Sequence, residues 1–272
     1  MKKILMLLAV LPLMAQAAAE RIITLGGDVT EIVWALGADK ELVARDSTST
    51  WPAGVVALPN VGYVRQLNAE GILSLRPTQV LASAQAQPSQ VLTRLAENHV
   101  KVVSVPGDYD VASIDKKVEV IANALGKKEQ GDALRKTLAT EMAALPTTPL
   151  NKRVLFILSH GGMGAMVAGQ QTAADGAIRA AGLVNAMQGF DHYRTLSQEG
   201  VIASQPDLVV ISADGVKSMG GEANLWALPG LAQTPAGRNK QVQIIDDIAL
   251  LGFSVRTPKA LHDLRVKAES QP

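Results

Sequence analysis

Residues 67–83, LNAEGILSLRPTQVLAS, return 129 positions later as residues 196–212, LSQEGVIASQPDLVVIS. The two stretches align without a gap, and Leu67/Leu196, Glu70/Glu199, Gly71/Gly200, Pro77/Pro206, Val80/Val209 and Ser83/Ser212 are identical. A supersecondary unit written twice at this separation requires two similar halves, so the chain of 272 residues divides into two lobes. In each copy a small polar residue, Asn68 or Ser197, stands at a helix N-cap position, and a glutamate follows in the first turn, where the helix dipole favours a carboxylate. Each short helix stops before Pro77 or Pro206 and feeds an apolar strand. Glu70 and Glu199 therefore mark matching surface corners of matching lobes.

The surrounding pattern is α/β. Strand-sized runs at 21–25, 41–45, 78–83 and 101–105 alternate with helical patterns at 69–75 and 88–98, and the theme restarts with strands at 153–159, 207–212 and 242–246. Such alternation implies two Rossmann-like lobes built on parallel-type sheets. In GGDVTEIVWALG, Asp28 and Glu31 have the spacing of a capping box and Gly37 closes the helix. AADGAIRAAGLVNAM, from 173, reads as one helix, and a last helix follows Pro258. Between the halves, from Val111 to Leu145, the chain is rich in Ala, Lys, Glu and Leu and free of strand pattern. Its second segment, Lys128 to Leu145, would be about 27 Å long, enough to run along both lobes before Pro146 and Pro149 stop it. The expected organisation is a signal segment at 1–19, an N-terminal lobe at 20–110, a helical link at 111–148 and a C-terminal lobe at 149–272. A single long backbone helix joins the lobes and a ligand cleft lies between them.

The first residues put Lys2 and Lys3 before an apolar run, Ile4 to Leu13, and then small residues at Ala15 and Ala17, the pattern of a cleavable secretory signal. That run is too short to cross a hydrocarbon core about 30 Å thick. Removing Lys2 and Lys3 from 26 basic residues leaves 24 against 25 acidic ones, a net charge of −1, which implies neither nucleic acid nor an anionic membrane as partner. The chain has no cysteine, which excludes disulfides, thiolate metal sites and a lipidated cysteine anchor. Export without a tether points to the periplasm.

With its paired glutamates, the chain resembles the periplasmic binding proteins with a helical backbone that deliver vitamin B12, iron-siderophores and haem to ABC importers. The resemblance covers residue 20 to the end. In that family a glutamate on each lobe meets arginines of the permease dimer, which implies docking roles for Glu70 and Glu199 and a monomeric carrier. The segments GGDVTEIVWALG, ARDSTSTWPA, LPNVGYVRQLNAEGILSLRP and SVRTPKAL resemble the haem-binding branch in particular. The resemblance implies that Tyr63 is an iron ligand with Arg65 beside it, that His160 contacts haem from the other lobe, and that Arg256 pairs with a propionate. One haem or two fit this reading. The chemistry agrees: ferric iron is a hard acid, and a phenolate is a hard anionic donor whose ionisation a nearby cation assists. His160 follows a strand and precedes two glycines, the place where ligands collect in open α/β sheets. At the offset of 129, Tyr63 aligns with His192 and Arg65 with Arg194, which makes His192 the alternative second-lobe ligand. Met163 and Met166 are candidates to pack on a porphyrin face.

Vitamin B12 or a ferric siderophore is the nearest alternative cargo, although only 3% of the residues are aromatic. A zinc or manganese carrier would need metal-ligand spacing that the histidines at 99, 160, 192 and 262 lack. A secreted α/β hydrolase would need a nucleophile elbow, and Gly252-Phe253-Ser254-Val255-Arg256 lacks its last glycine. The expectation is a binding protein, not an enzyme.

Overall fold

The computed structural model describes residues 20–160 and 164–270; the expected signal segment and Met163 lie outside the described residues. The N-terminal lobe runs β1 (Ile22–Leu25), α1 (Gly27–Ala35), β2 (Leu42–Arg45), α2 (Ala69–Ser74), β3 (Gln79–Ser83), α3 (Ser89–Glu97) and β4 (Lys101–Val105). Its four strands form a wholly parallel sheet in the order β2-β1-β3-β4. Two helices follow, α4 (Ala112–Ala124) and α5 (Lys128–Ala143).

The C-terminal lobe begins β5 (Arg153–Leu158), β6 (Met166–Ala168), α6 (Ala173–Ala180), β7 (Val184–Asn185), β8 (Tyr193–Thr195), α7 (Gln198–Ser204) and β9 (Leu208–Ser212). It ends α8 (Ala213–Ser218), α9 (Glu222–Trp226), α10 (Pro235–Asn239), β10 (Val242–Ile245), α11 (Asp247–Leu251) and α12 (Thr257–Glu269). The parallel trio β1-β3-β4 of the first sheet recurs as β5-β9-β10 in the second. That is the structural form of the sequence repeat. Among the described residues no helix is long and apolar enough to cross a membrane.

Alternation along the strands explains the packing. Ile22 and Leu81 face a cluster with α1, α4 and α5, whereas Ile23, Val80 and Ala82 face the helices α2 and α3. In the second sheet Val154, Phe156, Leu208 and Val210 lie on one face and Leu155, Ile157, Val209 and Ile211 on the other. Sheets covered on both faces need near-continuous apolar strands, which is how these segments read. One cluster passes from Ile22, Val29 and Ile32 through Ile114, Val118 and Leu138 to Phe156, Ile178, Phe253 and Leu261, so the two lobes share a single core.

Three expectations change. The link is a pair of packed helices rather than one rod: Gly126, at φ 66°, turns the chain between them, and at Gly131 a Cβ would run into Ala122 of α4. The segment from Ala173 stops being helical at Ala180, because Gly182, at φ 72°, turns it into β7 beside β5. The second sheet is mixed, since β6 and β8 run antiparallel at its edge.

Candidate functional site

Asn68 and Ser197 cap their helices as expected. Asn68 Oδ1 accepts from the amides of Glu70 at 2.8 Å and Gly71 at 3.2 Å, and Ser197 Oγ accepts from Gly200 at 3.3 Å. Both glutamates are exposed. Glu70 lies 3.6 Å from Arg94 of α3, beside a depression of about 310 Å³ lined by Leu67, Val91 and Gln90.

Tyr63 is held out by its loop. Asp46, fully buried, accepts from the Gly26 amide at 3.0 Å and from Ser49 Oγ at 2.6 Å, and its other oxygen accepts from Thr48. The Ser47 amide donates to Gly62 O at 2.8 Å and Val61 to Arg45 O at 3.0 Å, so the chain folds back along β2 and presents Tyr63, 42% exposed, beyond the strand ends. Arg65 Nη2 donates to Gln85 Oε1, which follows β3. Trp51, 40% exposed, belongs to the same loop.

On the other lobe His160 stands exposed just past β5. Tyr193 is the group that turns toward the first lobe. Burial pushes its phenol up to about 12, helped by Tyr109 and Asp247, while the charge of Arg65 pulls it back. The charge of His160 reaches Asp247 in the same way, although burial holds the Asp247 carboxyl above its ordinary range. Arg65 of one lobe thus lies within electrostatic reach of Tyr193 of the other, and Tyr193 and His160 in turn share the surroundings of Asp247.

Where the lobes meet, ion pairs accompany the shared apolar core. Lys117 Nζ of α4 donates to Asp28 Oδ2 of α1 and to Gly252 O, both at 2.6 Å, and Ser254 Oγ donates to Asp28 O at 3.0 Å. Arg256 donates to Glu31 Oε1 and to both oxygens of Asp246, and its guanidinium lies 5.0 Å above the Trp51 ring. At Gly27 a Cβ would lie 2.7 Å from Thr48 O and 3.0 Å from Ile248, so the approach is backbone-close. These contacts correct one sequence expectation. Asp28 and Glu31 do not form a capping box, because α1 starts at Gly26 with no side-chain cap and both carboxylates meet cations from distant elements. Arg256, the residue that the resemblance places at a propionate, pairs with the carboxylates of Glu31 and Asp246 at the lobe junction.

Glu31 is 1% exposed, and its Oε2 has no hydrogen-bond partner. Burial outweighs the Arg256 hydrogen bond and charge, pushing its pKa from 4.5 up to about 7. The folded state therefore holds this proton more tightly than the unfolded one. The stability it contributes is fully present below pH 4.5 and is lost as pH rises to about 7. Urea unfolding at pH 5 and pH 8 is expected to show a decline of a few kcal/mol that Glu31→Gln flattens. An undiminished decline in the variant would assign it elsewhere.

Of the remaining sequence candidates, Met166 opens β6, paired with Leu158 and Thr195. Arg194 stacks 4.6 Å over the Phe190 ring, and His192, exposed at φ 64°, pairs its backbone with Gln170 and Gly169. Ahead of α7 the second lobe carries β8, which runs antiparallel to β6, where the first lobe has the loop that bears Tyr63. Tyr193, next to Arg194 and hence on the opposite strand face, is the residue the sequence reading missed.

Two doubly covered α/β lobes sharing a core, with polar and aromatic groups at their strand ends, are the architecture of a solute-binding protein. The chain belongs to the periplasmic binding protein family, whose pattern, described as Periplasmic binding protein, matches residues 22–249. Among solved structures it is similar to the periplasmic haem-binding protein RhuT from Roseiflexus sp. RS-1 in apo form, at 39% identity over 92% of this chain and 98% of that one, with a TM-score of 0.88. The periplasmic haem-binding protein BhuT in complex with two haems aligns at 41% identity, over 92% and 98%, with a TM-score of 0.86. Sequence relatives include a vitamin B12-binding protein of Vibrio vulnificus (strain YJ016), 26% identical over 88% of this chain and 86% of its own length. The ABC transporter substrate-binding lipoprotein YvrC of Bacillus subtilis (strain 168), itself uncharacterised, is 24% identical over 73% of this chain; the match spans 65% of the relative's length.

Proposed function

We propose that this protein, exported by the signal at 1–19, captures haem in the cleft between its lobes and delivers it to the permease dimer of an ABC importer driven by its ATPase. The observation that carries this reading is Tyr63: an exposed phenol on a buttressed loop, two residues before Arg65, whose charge reaches Tyr193 of the second lobe. The high identity to haem-binding proteins over nearly their whole length supports it. Tyr63 supplies the iron's anionic oxygen, Arg65 favours the ionised phenol, and Tyr193 and Trp51 offer ring surface to the porphyrin. His160, from the other lobe, either completes the same iron or holds a second, cofacial haem.

Titrating the purified protein with haemin and, separately, with cyanocobalamin tests the reading. A haemin plateau with a shifted Soret band, and no cobalamin binding, is expected; the reverse result transfers the cargo to the vitamin B12 alternative that the Vibrio vulnificus relative favours. A plateau at one equivalent removes the two-haem version.

Glu70 and Glu199 are the docking points for two cationic sites on the permease. Replacing both with lysine is expected to abolish haem uptake by cells and to leave haemin affinity unchanged. Lost affinity would instead place them in the pocket.

A further inference from the structure

We propose that Asp247 is a positioning residue for His160: its carboxylate accepts a hydrogen bond from the imidazole Nδ1–H and so aims Nε2 into the cleft. This rests on the haem reading above for its consequence, but its geometry stands without it. The register Ile157↔Ile211 between β5 and β9, and Ile245↔Ser212 between β10 and β9, brings three strand ends into one row. His160 lies three residues beyond Ile157, and Asp247 two beyond Ile245, so both leave the same carboxyl edge of the second sheet. Asp247 is half-buried and its Oδ1 is enclosed with no hydrogen-bond partner. A buried carboxylate oxygen without a donor is costly, which leaves a demand for one N–H at this spot. The Ser212 hydroxyl already hydrogen-bonds the Asp247 carboxyl, and the carboxylates of Asp246 and Asp214 are the other groups that face it. Tyr193 feels its charge from the cleft side. Of all these, His160 alone brings a cationic or N–H face.

A histidine that binds a metal through one nitrogen ordinarily donates its other N–H to a carboxylate, which fixes the tautomer and raises the donor strength of the ligating nitrogen. Asp247 fits that place.

The test uses the full mature chain. In apo-protein at about pH 8, where an ordinary imidazole is neutral, ¹⁵N NMR of wild type is expected to show His160 in the Nδ1–H form. Asp247→Ala should shift it toward the Nε2–H tautomer, and Asp247→Asn, which keeps an acceptor oxygen, should retain the wild-type form. In a Tyr63→Ala background, where haemin is left to His160, Asp247→Ala should weaken haemin binding about 10- to 100-fold. It should also lower the ferrous iron–histidine stretching frequency, with Asp247→Asn intermediate. An unchanged His160 tautomer in Asp247→Ala, with the fold intact by circular dichroism, would overturn the pairing. Should Asp247→Ala not fold, a wild-type Nε2–H tautomer, or an iron–histidine frequency identical in Asp247→Asn and wild type, does the same. Failure of wild type to bind haemin at all sinks the haem reading alone, because the apo tautomer measurement does not depend on it.

Discussion

Tyr63→Ala is expected to lower haemin affinity by more than about 100-fold, beyond the upper end of what losing a metal's outer-shell partner costs, and to remove the spectral signature of phenolate-ligated ferric haem. The reasoning is chemical. An unperturbed phenol ionises near pH 10, so at neutral pH its proton leaves only because the ferric ion and a nearby cation stabilise the anion. On the proposed reading that cation is Arg65, which donates to Gln85 on the same lobe. Tyr63→Phe is the sharper experiment: it keeps the ring and its packing and deletes only the donor oxygen. Because Tyr63 is 42% exposed, neither variant should shift the melting temperature appreciably. Unchanged spectra in both variants would remove Tyr63 from the iron.

Lys117→Met is expected to destabilise the fold by about 3–5 kcal/mol, the cost of leaving one member of a buried ion pair without its partner. At the usual scaling for a chain of this size, each kcal/mol lowers the midpoint by about 2–4 °C. Lys117 is 2% exposed, and its three donors face Asp28 and the Gly252 carbonyl. The loss would be felt by the first lobe, the link and the second lobe together. Adding Asp28→Asn removes the stranded charge and should recover most of the loss in urea unfolding. If Lys117→Met unfolded at the wild-type denaturant concentration, the pair would contribute nothing net.

Much of this architecture was legible in the chain because it is written locally. The strands expected at 78–83, 101–105 and 207–212 appear at Gln79–Ser83, Lys101–Val105 and Leu208–Ser212, since unbroken β-branched runs bounded by turn residues leave few other outcomes. The caps at Asn68 and Ser197 were equally readable, each depending on residues two or three positions away. What escaped was long-range. Nothing near Glu31 announces an arginine 225 residues later, and a capping-box spacing is indistinguishable in sequence from two carboxylates bound elsewhere. Tyr193 is illegible for the same reason: an alignment offset carries identity but not strand orientation, and β8 acquires its place only by pairing antiparallel with β6, about 25 residues earlier in the chain.

The core shared by both lobes, pinned by Lys117 and Arg256, bears on how such a carrier would be used. Halves joined in this way are expected to keep nearly one outline whether idle or laden, so that the spacing of the two corner glutamates works as a ruler of nearly fixed length. On the proposed role, vacant copies would then occupy the importer's berth as readily as full ones. Uptake would follow the ratio of pigment to carrier, and overproducing the carrier in a haem-poor medium would slow the traffic it serves.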